Sequence, residues 1–187
     1  MKRKKFILGT LALGSLITVA RTTFGQWVET GKGFRVGAGE ARSGGHYEMK
    51  GVTRNVLDLK IASSDTGGNL TVLEQNGFTA KGGPPLHIHL YQDEFFYIVE
   101  GEYLFKVGEE SFQMKAGDTI FLPRNVQHAF AQLTDTGKVI VSYMPAGKME
   151  NFFKATDAWT SPPSREEIVK VFEDHDMVVV GPPLEVD

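Results

Sequence analysis

Cysteine is absent from the 187 residues of the sequence. Disulfide bonds and thiolate metal sites are therefore excluded, and the fold depends on packing alone. The chain also has no large excess of charge of one sign, because 20 Lys and Arg stand against 23 Asp and Glu. There is no basic run beyond the first five residues to attract a phosphate backbone, so we expect no nucleic-acid partner.

Long hydrophobic runs are also missing, apart from one near the N-terminus. The run covers residues 6–20, follows four consecutive basic residues and precedes a region of small residues, which is the layout of a secretory signal. A membrane-spanning helix needs about 20 mostly apolar residues, so this run predicts a cleaved signal rather than a stable anchor. We expect a signal peptide over residues 1–25, and an exported protein that is periplasmic or extracellular.

The remaining chain has the composition of one globular domain, with 41% hydrophobic residues and 13 Phe. Residues 26–51 are rich in glycine and are predicted to form an N-terminal arm. Short segments of alternating apolar and polar residues follow over residues 52–146, and Gly, Pro and Asn separate most of them. Many short strands without intervening helices predict an all-β antiparallel sandwich or barrel.

A single helix is predicted in the C-terminal tail, residues 147–187. Ser164 and Glu167 form a capping box, and Ile168, Val171 and Phe172 recur at helical spacing after it. The following apolar run of residues 177–180 is expected to be extended. We expect this short helix to pack on the barrel, and the sequence assigns the tail no chemistry.

Four residues form the candidate functional site. His87 and His89 are two residues apart on a predicted strand, so their side chains point to the same face, while Leu86, Ile88 and Leu90 point to the other. Glu94 follows five residues later, and His128 lies on a later strand. Imidazoles and a carboxylate turned into an apolar barrel are costly to bury unless they bind a metal or form hydrogen bonds, which favours a site for one metal ion.

Two segments that contain these residues resemble the two conserved motifs of the cupin family. Residues 82–101 (GGPPLHIHLYQDEFFYIVEG) resemble the first motif, and residues 117–132 (GDTIFLPRNVQHAFAQ) resemble the second. His87, His89, Glu94 and His128 match the metal ligands of the family. Asn125 stands where the family usually has glycine, and we expect it to tolerate the left-handed backbone conformation of that turn.

The resemblance implies a single cupin barrel, a double-stranded β-helix or jelly roll, of the quercetin dioxygenase-like type. It implies one divalent transition-metal ion, and nitrogen and oxygen ligands are compatible with Mn, Fe, Co, Ni, Cu or Zn. It also implies that Glu94 both binds the metal and accepts a proton from the substrate. A metal-dependent dioxygenase acting on a flavonol-like or other enolizable phenolic substrate is therefore the leading hypothesis.

Two further expectations concern the surroundings of the metal. A two-residue turn at Glu100 and Gly101 is predicted to join neighbouring strands as a hairpin. The residues that then share the inner face with Glu94, and Phe130 with them, are candidates for the barrel core or for a substrate pocket: Phe96, Ile98, Tyr103, Phe105 and Phe130. On the outer face, Phe95 and Tyr97 beside Leu104 predict a homodimer.

Two other functions remain open for this sequence. One is a non-catalytic cupin that binds a small molecule, and the other is a metal-dependent isomerase or epimerase acting on a sugar-like compound. A sugar enzyme would need Arg, Lys and Asp on the inner faces, whereas the predicted inner faces are aromatic. The sequence therefore favours the dioxygenase over the isomerase.

Overall fold

Alternation of inward and outward side chains along short strands builds two antiparallel sheets. The computed structural model describes residues 33–50 and 54–186. In chain order the strands are β1 (His46–Met49), β2 (Asn55–Ile61), β3 (Thr71–Gly77), β4 (Pro85–His89), β5 (Asp93–Glu100), β6 (Glu102–Val107), β7 (Glu110–Lys115), β8 (Thr119–Leu122), β9 (His128–Gln132), β10 (Gly137–Met144) and β11 (Met177–Pro183). Two α-helices, α1 (Met149–Asp157) and α2 (Arg165–Asp174), lie between β10 and β11.

The two sheets face each other as a jelly roll. The first sheet has the strand order β1-β2-β3-β10-β5-β8, and the second has the order β11-β4-β9-β6-β7. Inward residues on both sheets are apolar over most of the barrel: Leu57 and Leu73 of the first sheet and Tyr103 and Phe105 of the second are almost fully buried. The predicted all-β fold is confirmed.

The hairpin predicted at Glu100 and Gly101 is wrong. Strand β5 pairs with β10 and β8, whereas β6 pairs with β7 and β9, so the chain crosses from one sheet to the other at Gly101. Gly101 has a φ of 87°, a backbone conformation that residues other than glycine rarely adopt. A hairpin turn and a corner between sheets therefore have the same local sequence pattern, and only strand pairing distinguishes them.

The sheets also extend beyond residues 52–146. Strand β1 precedes this range and pairs with β2, while β11 comes from the tail and pairs with β4. Helix α2 is the predicted C-terminal helix, and its capping box is present: Glu167 N donates to Ser164 Oγ, and Ser164 N donates to Glu167 Oε2. Helix α1 was not predicted, although its buried residues Met149, Phe152, Phe153 and Thr156 follow helical spacing.

The predicted signal peptide and the predicted start of the mature chain lie outside the described residues. Within residues 33–50 and 54–186, no helix has the length and apolar character needed to cross a membrane. Residues 26–32 of the predicted arm also lie outside the described residues, and residues 46–49 of the arm form β1.

Candidate metal centre

Both sheets contribute to the cluster of four polar side chains predicted from the sequence. Strand β4 alternates so that His87 and His89 point inward, and His87 lies directly opposite His128 of β9. Glu94 points inward from β5 in the other sheet. All four residues are buried, with exposed fractions of 6% or less.

The potential ligand atoms of these side chains converge. His87 Nε2 is 3.2 Å from His89 Nε2, and Glu94 Oε2 is 3.2 Å from His128 Nε2 and 3.9 Å from His89 Nε2. One potential ligand atom from each residue lies within 4.8 Å of all the others. Two ligands that bind one ion at about 2.1 Å each are at most about 4.2 Å apart, so the three measured separations fit a shared ion.

Hydrogen bonds orient two of the three imidazoles. His87 Nδ1 is 2.8 Å from Pro85 O, and His128 Nδ1 is 3.0 Å from Val126 O. A carbonyl oxygen only accepts, so both Nδ1 atoms carry the proton and donate it. Each Nε2 is thereby left with a free lone pair that points into the cluster, as in metal-binding histidines whose other nitrogen is held by a carbonyl.

The charges of the cluster favour a cation. Burial lowers the pKa of His87 and brings that of His89 to about 4, and the neighbouring histidines add to both effects, so both imidazoles are neutral at neutral pH. Burial alone would raise the pKa of Glu94, but His128, His89 and Tyr143 outweigh it and the net pKa lies below its ordinary value. The cluster therefore buries a carboxylate beside the neutral imidazoles of His87 and His89.

The polar atoms at the centre of the cluster fit a metal ion. His128 Nε2 is 3.2 Å from Glu94 Oε2 and has no well-formed hydrogen bond to any described residue. A buried anion facing unpaired lone pairs is unfavourable without a cation between them. The four residues fit one divalent metal ion with three nitrogen ligands and one oxygen ligand, and this donor set leaves the choice of metal open.

Tyr143 is a further polar residue at this end of the barrel. It lies directly opposite Glu94 on the neighbouring strand β10, and its ring stacks on His89 with centroids 5.7 Å apart. Burial raises the pKa of Tyr143, and the adjacent Glu94 carboxylate raises it further, so the hydroxyl stays protonated and can donate to Glu94. Tyr143 was not predicted as a site residue, although the alternation of Val139, Val141 and Tyr143 along β10 places it inside.

A largely apolar cavity of about 60 Å³ adjoins the cluster. Among the described residues that line it there is no Lys or Arg, and the two polar residues besides the cluster and Tyr143 are Asn55 and Gln75. The sheets and the helices both contribute apolar side chains to its walls: Met49, Pro84, Phe96, Phe130, Met149, Phe152, Phe153, Phe172 and Met177. The helical tail, which the sequence assigned no chemistry, thus covers the candidate metal centre.

The five pocket candidates predicted from the sequence fall into two groups. Phe96 and Phe130 line the cavity. Ile98, Tyr103 and Phe105 do not, and are fully buried in the core behind it. They lie deeper along the strands than the cluster, where the two sheets pack directly on each other.

The cavity borders on a wider surface groove. Met49 of β1 and Asn55 of β2 are paired across the two strands, and both residues line the cavity as well as an open groove of about 890 Å³. The groove also contains the aromatic residues Phe78 and Trp159 and the basic residues Lys50 and Arg54. Met49 and Asn55 therefore separate the cavity from the groove.

An ion pair braces the two strands that hold Glu94 and Tyr143. Arg124 donates to both carboxylate oxygens of Asp93, at 3.0 and 2.7 Å, and to Met144 O at 3.2 Å. Asp93 precedes Glu94, and Met144 follows Tyr143. The guanidinium holds the pKa of Asp93 below its ordinary value, so this pair stays charged at neutral pH.

The turn before His128 contains the departure from the glycine of the cupin motif. Asn125 has a φ of 63°, as expected for a residue that tolerates the left-handed conformation. Its backbone N–H donates to His89 O at 2.8 Å. The turn therefore ties β4 to the strand that contains His128.

Comparison with known proteins agrees with this geometry. Residues 78–143, which include all four members of the cluster, match the family model of the cupin domain. The barrel has the cupin fold. A curated relative, an uncharacterized protein of Methanocaldococcus jannaschii, is 36% identical over 62 residues, which is 32% of this chain and 50% of that protein. Another, an uncharacterized protein of Streptomyces coelicolor, is 32% identical over 54 residues, 29% of this chain and 51% of that protein.

The cupin match thus covers part of each protein, and the chain spans about half the length of the curated relatives it matches. Among solved structures, an RmlC-like cupin from Shewanella frigidimarina has a TM-score of 0.50 and 20% identity, with 62% of this chain and 93% of that chain covered. A predicted oxalate decarboxylase from Thermotoga maritima has a TM-score of 0.53 and 15% identity, with 60% and 99% covered. These two likenesses establish the fold of the cupin domain and leave its reaction open.

Proposed function

We propose that this cupin domain binds one divalent transition-metal ion and acts as a dioxygenase on a flavonol-like or other enolizable substrate. The observation that carries the proposal is the convergence of three imidazole nitrogens and one carboxylate at the end of a cavity with apolar walls. Four protein ligands leave one or two positions free on a five- or six-coordinate ion.

The metal ion would be held by His87, His89, Glu94 and His128. When bound, it would act as a Lewis acid that favours the deprotonated form of the substrate and supports its reaction with dioxygen. Mn, Fe, Co, Ni, Cu and Zn all remain compatible with this ligand set.

The protein itself would supply a base and a dry environment. The Glu94 carboxylate would accept the proton of the substrate hydroxyl, and the Tyr143 hydroxyl would keep that carboxylate oriented by donating to it. The rings of Phe96 and Phe130 and the helical residues Phe152 and Phe172 would keep bulk water away from the electron-rich enolate.

The balance of the reaction needs no added reductant. The substrate enolate supplies the electrons, dioxygen is the oxidant, and both oxygen atoms end in the products as a carbon–carbon bond of the substrate breaks. Loss of the hydroxyl proton to Glu94 generates the enolate, and the proton returns to solvent or product at the end of the cycle.

The size of the cavity limits how a substrate can bind. About 60 Å³ is far below the roughly 300–1,000 Å³ of sites for drug-sized ligands, so the cavity can enclose only a slender part of a substrate, between the metal and Gln75. The remainder of a flavonol-like molecule would extend past Met49 and Asn55 into the groove, where Phe78 and Trp159 offer aromatic surface.

The two other candidate functions differ from the dioxygenase in what they require. A sugar isomerase or epimerase would need charged groups to bind hydroxyls, and no Lys or Arg is among the described residues that line the cavity. A non-catalytic cupin would bind the same small molecules without consuming oxygen. Measured oxygen consumption therefore separates it from the dioxygenase.

The experiment is an oxygen-uptake assay on quercetin and on simpler phenolic enediols, with protein reconstituted separately with Mn, Fe, Co, Ni and Cu. We expect uptake with at least one metal, and a fall of about 100-fold or more in turnover when Glu94→Gln removes the base. The matched control is Glu110→Gln, which changes an exposed carboxylate at the start of β7. Tight ligand binding without oxygen uptake for any metal would contradict the proposal and favour a binding protein.

We also propose that the protein is exported. The support is the basic start and the short apolar run of the first 20 residues, which lie outside the described part of the chain. N-terminal sequencing of the protein from its native host should find a start between Arg21 and Trp27. Intact Met1 on protein from the cytoplasm would contradict export.

A further inference from the structure

Two buried glutamines near the cavity differ in their hydrogen bonding. Gln132 has partners, because its Nε2 donates to Thr134 O at 2.8 Å and its Oε1 accepts from the Tyr103 hydroxyl at 3.4 Å. Gln75 is 7% exposed and lines the cavity, and its Nε2 has no hydrogen-bond partner among the described residues. The amide nitrogen of Gln75 is thus a buried donor for which the described residues supply no acceptor.

The surroundings of Gln75 make this unpaired amide costly. Its neighbours on the same face of the sheet are Leu57 on one side and Val139 on the other, and both are almost fully buried. Neither side chain can accept or donate a hydrogen bond. An apolar residue of similar size would stabilise this position, so the glutamine lowers the stability of the fold.

Gln75 also lies at a defined distance from the candidate metal centre. Thr71, at the start of β3, is opposite Tyr143, which is opposite Glu94, so these three residues form one row across the sheet. Gln75 is four residues further along β3, and a strand rises about 3.3 Å per residue, so its row is about 13 Å from the row of Glu94. The cavity therefore has polar groups at two separated places with apolar walls between them.

We infer that Gln75 is a second anchoring point for the substrate, and that its amide hydrogen-bonds to an oxygen at the end of the molecule remote from the metal. This inference rests on the proposed function, because it assumes that the other end of the same molecule binds the metal. The substrate class is thereby narrowed to elongated compounds with two oxygen donors at one end and a further carbonyl or hydroxyl oxygen toward the other. Gln75 acts here in specificity and contributes no step of the chemistry.

Hydroxamates provide probes that bind metals through two oxygens and need no turnover. The first series contains simple alkyl hydroxamates of increasing chain length. In the matched series, one CH₂ of each compound is replaced by a carbonyl group. Affinities are measured from the visible absorption of protein loaded with Co²⁺. For each chain length, the affinity of the carbonyl compound divided by that of the alkyl compound reports the contact with Gln75.

The main variant is Gln75→Met, which keeps the size of the side chain and removes the amide. We expect the carbonyl compound of suitable length to lose about 2- to 10-fold in affinity, while the alkyl compounds keep or improve theirs. We also expect the midpoint of thermal unfolding without ligand to rise by about 2–4 °C, since an unpaired buried amide is removed. The matched control Gln132→Met should instead lower that midpoint, because it breaks two hydrogen bonds.

Other results would overturn the inference. A fall in the unfolding midpoint of Gln75→Met, with an unchanged affinity ratio, would make Gln75 a structural residue. An unchanged ratio with Co²⁺ bound would contradict the anchoring role alone and leave the proposed dioxygenase standing. Failure of the wild-type protein to take up Co²⁺ would instead contradict the metal centre, and with it both proposals.

Discussion

The two ends of this cupin barrel are built by the same strands but have opposite chemistry. At the metal end, inward positions of β4, β5 and β9 place polar atoms together, and two of these atoms, His89 Nδ1 and His128 Nε2, have no hydrogen-bond partner among the described residues. Deeper along the strands, the same alternation places aromatic rings together: the ring centroid of Phe105 is 6.3 Å from that of Tyr103. The aromatic end stabilises the fold, and the metal end is kept polar at the expense of stability.

This comparison indicates how the two ends respond to change. A side chain at the aromatic end can be judged by the apolar surface it buries. A side chain at the metal end is judged by its polar contacts, because atoms such as His128 Nε2 have no partner among the described residues and could bind a cation. Substitutions at the two ends should therefore separate folding from metal binding.

The largest expected effect is at the aromatic end. Phe105 is fully buried, so Phe105→Ala should lower the free energy of unfolding by about 3–5 kcal/mol. Chemical denaturation of metal-free protein measures this loss. The control is Phe112→Ala, since Phe112 lies directly opposite Phe105 on β7 but is 37% exposed, and it should cost less than about 1.5 kcal/mol. Equal losses of unfolding free energy for the two variants would contradict the assignment of Phe105 to a stabilising aromatic end.

At the metal end, His128→Ala should weaken Co²⁺ binding by about 100-fold or more, because it removes one of four ligands. Isothermal titration calorimetry measures this affinity. The metal-free variant should lose less stability than Phe105→Ala, since the removed imidazole has a nitrogen without a partner. The exposed His46 provides the control, and His46→Ala should leave Co²⁺ affinity unchanged. A His128→Ala variant with unaltered Co²⁺ affinity would rule out the proposed ligand set.

A smaller effect is expected where Arg124 braces the strands of Glu94 and Tyr143. Arg124→Ala frees the ends of β5 and β10, so Co²⁺ affinity should fall severalfold, by less than about 10-fold. The matched control is Arg42→Ala, which breaks a similar two-bond contact to Asp65, at 2.9 and 2.6 Å, in another part of the molecule. If both variants reduce affinity equally, the effect is general loosening of the fold rather than positioning of Glu94.

The smallest effect on the barrel itself is expected on its outer face, where a homodimer remains a prediction. Leu104 lies in the other sheet, so the apolar neighbour of Phe95 is Phe121, which is 54% exposed, and Tyr97 beside them is 41% exposed. We expect Phe121→Ser to convert a dimer into a monomer in sedimentation velocity at micromolar concentration, with metal affinity unchanged. A wild-type protein that already sediments as a monomer would contradict the dimer.

Much of this protein was determined by its sequence alone. Side chains two residues apart on a strand share a face, so the alternation around His87 and His89 predicts that both point inward. The pattern of the later strands predicts that Glu94 and His128 also point inward. The capping box at Ser164 likewise predicts the start of α2 from local contacts. These predictions succeeded because each depends on residues that are close together in the chain.

Only the tertiary structure decided which strands are neighbours and what covers the metal end. The turn at Gly101 is compatible with a hairpin or with a crossing between sheets, and the insertion of β10 beside β5 selects the crossing. Tyr143 reaches Glu94 and Phe172 reaches His87 through pairings and packing that join distant parts of the chain. Local patterns specify which face a side chain takes, but long-range packing specifies what it meets there, and the polar atoms left without partners became visible only in the folded chain.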